Sequence, residues 1–198
     1  MSARRTVRSV NDTAPGADLH PGLDLANSRV TAPGGLVTDL IDTPAGATRW
    51  LAERGLIPAG AELREACASR LRSMREQIRA LLNARVGQLE PPPAALREIN
   101  FVITHVPTAA ELHWDPALGL HRAKPHPTDQ VVDHALGVLA ADTADLLTSA
   151  DAERLAACES KPCQRFLLRT GRRQWCSVRC GDRARAARAY ARKARLVP

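Results

Sequence analysis

Apolar side chains recur at Leu63, Cys67, Leu71, Met74, Ile78 and Leu81 or Leu82, a spacing of three to four that predicts one long helix from about Ala61 to Val86. On that reading Cys67 is a small core residue, and Arg64, Arg70, Arg75 and Arg79 face water. Thr43-Pro44 has the order of a helix cap and first turn, and predicts a helix carrying Trp50 and Leu51 until Gly55 stops it. Pro91-Pro92-Pro93 interrupts the helical pattern, and a further helix is expected from about Ala94 to Thr104, before Pro107. The period then changes: residues 109–125 flank the turn-like Pro116-Ala117-Leu118-Gly119 and predict a short β-hairpin with His113 and His121 facing each other. Thr128 or Asp129 caps another helix to about Thr148, with Val132, Leu136, Leu139, Leu146 and Leu147 inward, and Asp151 starts a short helix that delivers Cys158.

The chain therefore reads as mainly α: a helical domain with a small β-hairpin over residues 19–150, then a compact C-terminal unit over 151–198 that leads into a basic helix. Residues 1–18 mix Arg, Ser, Pro, Gly and Asp without periodicity and are expected to be a disordered tail. Charge follows the same division. Residues 154–195 hold 13 Lys or Arg against 2 Asp or Glu, so that in a chain of net charge +7 everything else sums to −4. No apolar run is long enough to span a bilayer, and no membrane role is expected.

Cysteine is as concentrated as charge. Four of the five cysteines occupy 23 residues, as Cys158 and Cys163, then twelve residues, then Cys176 and Cys180. Two close pairs joined by a loop suit a tetrahedral zinc ion, each pair supplying two thiolates. Disulfides are the alternative and need an oxidising compartment; residues 1–20 hold no apolar stretch of signal-peptide type, so a cytoplasmic, reducing setting and one structural zinc are expected. Four thiolates leave no open position on the metal, and from residue 154 onward there is no His and no acid besides Glu159 and Asp182 to assist a reaction. Phe166 and Trp175 are expected to form a small core under the metal.

From Asp182 the sequence runs DRARAARAYARKARL, with Ala184, Ala187, Ala191 and Ala194 on one helical stripe and Arg185, Arg188, Arg192 and Arg195 on the next. Asp182 is expected to cap this helix. Repelling arginines on one face suit a phosphate backbone, and Arg183, Arg185, Arg188, Arg192 and Arg195 are the candidate nucleic-acid contacts. Too few aromatic residues accompany them for a single-strand stacking platform, which favours double-stranded DNA. A merely solvated helix face is the bland alternative.

Several of these residues carry a family resemblance. The run Trp175-Cys176-Ser177-Val178-Arg179-Cys180-Gly181-Asp182-Arg183, with Cys158 and Cys163 before it and an Ala/Arg helix after it, resembles the CGNR zinc finger. Leu23-Asp24-Leu25-Ala26-Asn27-Ser28 is similar to the opening of the helical ABATE domain that precedes this finger in bacterial proteins proposed to regulate stress-induced transcription. The resemblance spans residues 20 to about 195 and implies zinc on the four cysteines and an untested DNA-binding role. Two features depart from the pattern: Asp182 stands where the finger has Asn, and the stretch between the cysteine pairs is short, with no acid just after Phe166.

The leading expectation is thus a DNA-binding transcriptional regulator, nucleoid-associated if DNA is its partner. Its helical domain senses a small-molecule or protein effector, or assembles copies into an oligomer of unspecified size. A zinc-stabilised module that binds an acidic protein surface is the alternative. There is no glycine-rich phosphate loop and no Gly-x-Ser-x-Gly, so no enzyme is expected. A hydrolytic site would have to use His113 and His121, with His126 nearby. Asn27 lines a pocket or, as preferred, satisfies a buried turn.

Overall fold

A computed structural model describes residues 13–31, 36–106, 111–123 and 131–194. Its described elements are α1 (Pro21–Ala26), β1 (Arg29–Thr31), β2 (Val37–Asp39), α2 (Pro44–Ala52), α3 (Glu65–Gly87), α4 (Pro93–His105), β3 (Glu111–Asp115), β4 (Gly119–Ala123), α5 (Val131–Thr148), a 3-10 turn (Ala150–Glu153), β5 (Leu155–Ala157), β6 (Phe166–Leu168) and α6 (Val178–Ala194). Among the described residues the strands pair as three antiparallel hairpins. The architecture is the expected mainly helical one.

Helix α3 is the hub and packs on α1, α2, α4 and α5. Its expected stripe of Leu71, Met74, Ile78, Leu81 and Leu82 is buried against Ile99 and Val102 of α4, Leu136 and Leu139 of α5, and Leu23 and Leu25 of α1. Leu63 is also buried, but it precedes the helix: its N–H donates to the Thr48 hydroxyl at 3.0 Å, which holds residues 61–64 out of helical geometry. Cys67 is half-buried against this core. Helix α2 starts as expected, with the Thr43 hydroxyl accepting from the Gly46 N–H.

Two of the four arginines expected to face water do not. Arg75 is only 1% exposed and makes a bidentate ion pair with Asp39 of β2, at 2.6 and 2.8 Å, while also donating to Ser28. The β1–β2 hairpin covers that side of α3, an element that three-residue strands give too little pattern to announce. Arg79 is also partly covered: it donates to the carbonyls of Ala26 and Gln164 and lies over the Phe166 ring.

The predicted β-hairpin forms with His113 opposite His121, closed by the Asp115 carboxylate, which accepts from the Ala117 and Leu118 N–H groups. Leu112, Trp114 and Leu120 are exposed on it. The proposed cap residues of α5, Thr128 and Asp129, lie outside the described residues, as does His126. Of the tail expected over residues 1–18, only 13–18 are described; they form a turn with Ala14 and Ala17 buried, and Pro15 accepts from the Leu168 N–H.

Candidate metal centre and basic helix

Cys158 is delivered by a strand rather than by the helix expected from Asp151. Ser149 caps only a 3-10 turn, after which Leu155 and Ala156 turn inward and pair with Leu168 and Leu167. Burial of this β5–β6 hairpin against α1 and α3 outweighs the helical tendency of a short Ala-containing segment. The hairpin closes on the Cys158 N–H donating to the Arg165 carbonyl and the Cys163 N–H donating to the Ser160 carbonyl, which sets both thiols on one side. The second pair is positioned by α6: Cys176 just precedes it and Cys180 sits in its first turn. The cap is not Asp182 but the Ser177 hydroxyl, which accepts from the Cys180 N–H, so the helix begins five residues earlier than expected.

The four Sγ atoms lie within 4.8 Å of one another, and among the described residues this is the only such group of possible ligands. A tetrahedral ion with metal–sulfur bonds of about 2.3 Å needs sulfur–sulfur edges of about 3.8 Å. Cys163 to Cys176 and Cys176 to Cys180 are each 3.6 Å, far beyond the roughly 2.05 Å of a disulfide. The Cys176 N–H also donates to the Cys158 sulfur at 3.4 Å. Thiol hydrogen bonds from Cys163 and Cys176 hold Cys158 down at about 2, while the same contacts push Cys163 up to about 12 and Cys176 upward. A divalent cation ends that competition by giving every sulfur a positive partner. The residues fit zinc: these four would hold it in a closed tetrahedron and use it to fix the fold.

The helical domain is tied to this centre by its opening motif. Asn27, 2% exposed, donates from Nδ2 to the Phe166 carbonyl at 3.0 Å and accepts from the Phe166 N–H at 2.7 Å. The expected local turn role is thus replaced by a two-point clasp on β6. Phe166 itself is buried, whereas Trp175 is half-buried beneath α6, with the guanidiniums of Arg185 and Arg188 over its ring at 5.8 and 5.4 Å.

The arginines divide. Arg185, Arg188 and Arg192 are exposed, as is every residue from 185 to 192, and Arg195 lies outside the described residues. Arg185 also donates to the Asp182 carboxylate at 2.5 Å. Arg183 turns the other way, lining a cavity of about 370 Å³ with Cys163, Cys176, Cys180, Arg165 and Arg179. Sequence could have revealed this, because at 3.6 residues per turn Arg183 falls roughly 160° round the helix from the centre of the other stripe. His113 and His121, with ring centroids 6.1 Å apart, gather no third ligand among the described residues. Among them, too, no helix is long and apolar enough to cross a membrane.

Two family models match the chain. One, described as "Putative stress-induced transcription regulator" and named ABATE, covers residues 19–150; the other, the CGNR zinc finger, covers residues 154–193. Neither is an enzyme family. No curated protein matches the chain. With the finger comes one structural zinc, for which the four clustered cysteines are the ligand set. The first match covers most of the chain and the second follows it directly, and the chain belongs to the ABATE family, with a C-terminal CGNR zinc finger.

Proposed function

We propose that the chain is a DNA-binding transcriptional regulator in which the zinc centre fixes the start of α6 and the exposed part of that helix meets the phosphates of duplex DNA through Arg185, Arg188, Arg192 and Arg195. The observation that carries this is the exposure of every residue from 185 to 192: neither Arg188 nor Arg192 meets a carboxylate among the described residues, which leaves their charge to face solvent there. A helix of that width suits the major groove, where arginine also reads guanine. The helical domain is the place for an effector or a second copy. Under the alternative reading, the same face binds acidic protein; the chain's own domain of net charge −4 does not cover it at residues 185–192.

The test is fluorescence anisotropy of the zinc-loaded chain with labelled duplex across a salt series, beside a variant with Arg185, Arg188, Arg192 and Arg195 changed to Ala. Every arginine–phosphate interaction removed lowers the log–log salt slope by about 0.9, so the variant should show a slope smaller by up to about 3.6. No binding by the unaltered chain at low salt would replace DNA with the protein-surface reading.

A further inference from the structure

A zinc ion on four thiolates carries a formal charge of −2, and burying such a charge without compensation is unfavourable. Three arginines line the cavity beside these sulfurs; Arg179 is exposed, whereas Arg165 and Arg183 are covered. Arg165 is 7% exposed, lines the same cavity as Cys163, Cys176 and Cys180, and supplies its backbone carbonyl to the Cys158 N–H. Arg183 lines that cavity from the inner side of α6, and its Nη1 is fully buried without a hydrogen-bond partner. A guanidinium nitrogen shut away from water calls for an acceptor, and an anionic one suits its charge.

Two anions are conceivable. A phosphate group from outside fits a cavity of about 370 Å³, but it would enter a space walled by the dianionic centre and by the Asp182 carboxylate. The centre itself requires no entry, and its two negative charges match the buried Arg165 and the half-buried Arg183. We infer that Arg183, together with Arg165, is the counter-charge of the tetrathiolate zinc centre: it is a positioning residue for the metal and not a DNA contact. Arg185, Arg188 and Arg192, on the opposite side, are left for an external partner.

Arg183→Met, Arg183→Lys and Arg188→Met in the full chain test this, with zinc affinity measured by competition with a chromophoric chelator, and the sulfur-to-metal charge-transfer band measured in the cobalt-substituted protein. Residues that support ligands from outside the coordination shell typically change metal affinity by about 10- to 100-fold, and Arg183→Met should weaken zinc binding by that factor. Arg183→Lys should stay within about threefold of the unaltered chain, because it retains the charge, and Arg188→Met should not change zinc affinity. The cobalt band should move to lower energy in Arg183→Met, as thiolates without a cationic neighbour give up electrons more readily. At saturating zinc, Arg183→Met should leave the salt slope of DNA binding unchanged.

Zinc affinity of Arg183→Met within about twofold of the unaltered chain would overturn the inference. So would an equal loss of stability in its metal-free and zinc-loaded forms, which marks a packing role. If Arg183→Met does not fold, Arg183→Lys decides alone, since an affinity loss beyond about tenfold there shows that shape rather than charge is required. The zinc readout stands whether or not the chain binds DNA.

Discussion

Replacing Asn27 with Ala tests the join between the helical domain and the zinc finger. The Asn27 amide satisfies both backbone groups of Phe166, at 2.7 and 3.0 Å, in a site where Asn27 is 2% and Phe166 1% exposed. A buried backbone group deprived of its partner costs about 1–3 kcal/mol, so two cost about 2–6. Water entering the space left by the amide recovers part of this, and about 2–4 kcal/mol is expected for Asn27→Ala. In a chain of this size that lowers Tm by about 5–15 °C. The assay is urea denaturation of the zinc-loaded chain, where the midpoint should fall at constant slope. Asn27→Asp keeps the shape and the acceptor for the Phe166 N–H, but it turns the donor into an oxygen facing the Phe166 carbonyl; its destabilisation should be at least as large. A change under about 0.5 kcal/mol for Asn27→Ala, or a milder effect of Asn27→Asp, would refute the reasoning.

Three further outcomes follow from other parts of the structure. Burial pushes the Asp39 carboxyl up, but hydrogen bonds from Arg75 and the Ile41 N–H, with the Arg75 charge, hold it below the usual carboxylate range. Its stabilising effect is therefore present above the unfolded pKa and lost as pH falls through the lower folded one. The stability difference between Asp39→Asn and the unaltered chain, measured by denaturation, should be largest near neutrality, begin to fall near the ordinary carboxylate pKa of about 4, and vanish only below the lower folded value. Asp182→Asn should release Arg185 from its intramolecular partner and steepen the salt slope of DNA binding by up to about 0.9, read by anisotropy. Chelating the zinc should lower the thermal stability of α1 and α3 along with that of the finger, in one calorimetric transition, because Phe166, Leu167 and Leu168 belong to the same core as Leu23 and Ile78. Two well-separated transitions would assign the finger a core of its own.

What sequence revealed and what it hid divide by the range of the interaction. Helices α2 to α5 were legible because a 3.6-residue period needs only the chain's own neighbours, and the β3–β4 register because Asp115 and Gly119 (φ +67°) make a turn that allows it. The zinc ligands were legible because two short spacings suffice to define them. Strands β5 and β6 were not: LAA and FLL have no alternation, since both faces of the hairpin are largely buried. Arg75 was misread because its partner, Asp39, lies 36 residues earlier on a strand too short to announce itself. Arg79 and Asn27 were misjudged for the same reason, their partners being the carbonyl of Gln164 and the backbone of Phe166.

The contiguous opening motif makes physical sense once these distant partners are known. Within six residues, Leu23 and Leu25 enter the core, Asp24 accepts from Arg54 beyond α2, Asn27 holds β6 of the finger, and Ser28 accepts from the buried Arg75 of α3. Even the Ala26 carbonyl is used, by Arg79, whose other nitrogen reaches the Gln164 carbonyl beside Cys163. Each bond is polar and directional, and each lies in or beside the core, where a wrong side chain leaves its distant partner unsatisfied. A short helix of six residues has little stability of its own, so its conformation depends on these contacts as much as they depend on it. Folding of α1 against α3 therefore builds the surface on which β6 docks, and β6 in turn aligns the Cys158–Cys163 hairpin with the start of α6. That mutual dependence makes the ABATE domain and the finger cooperative parts of one structure, even though sequence composition separates them sharply near residue 150.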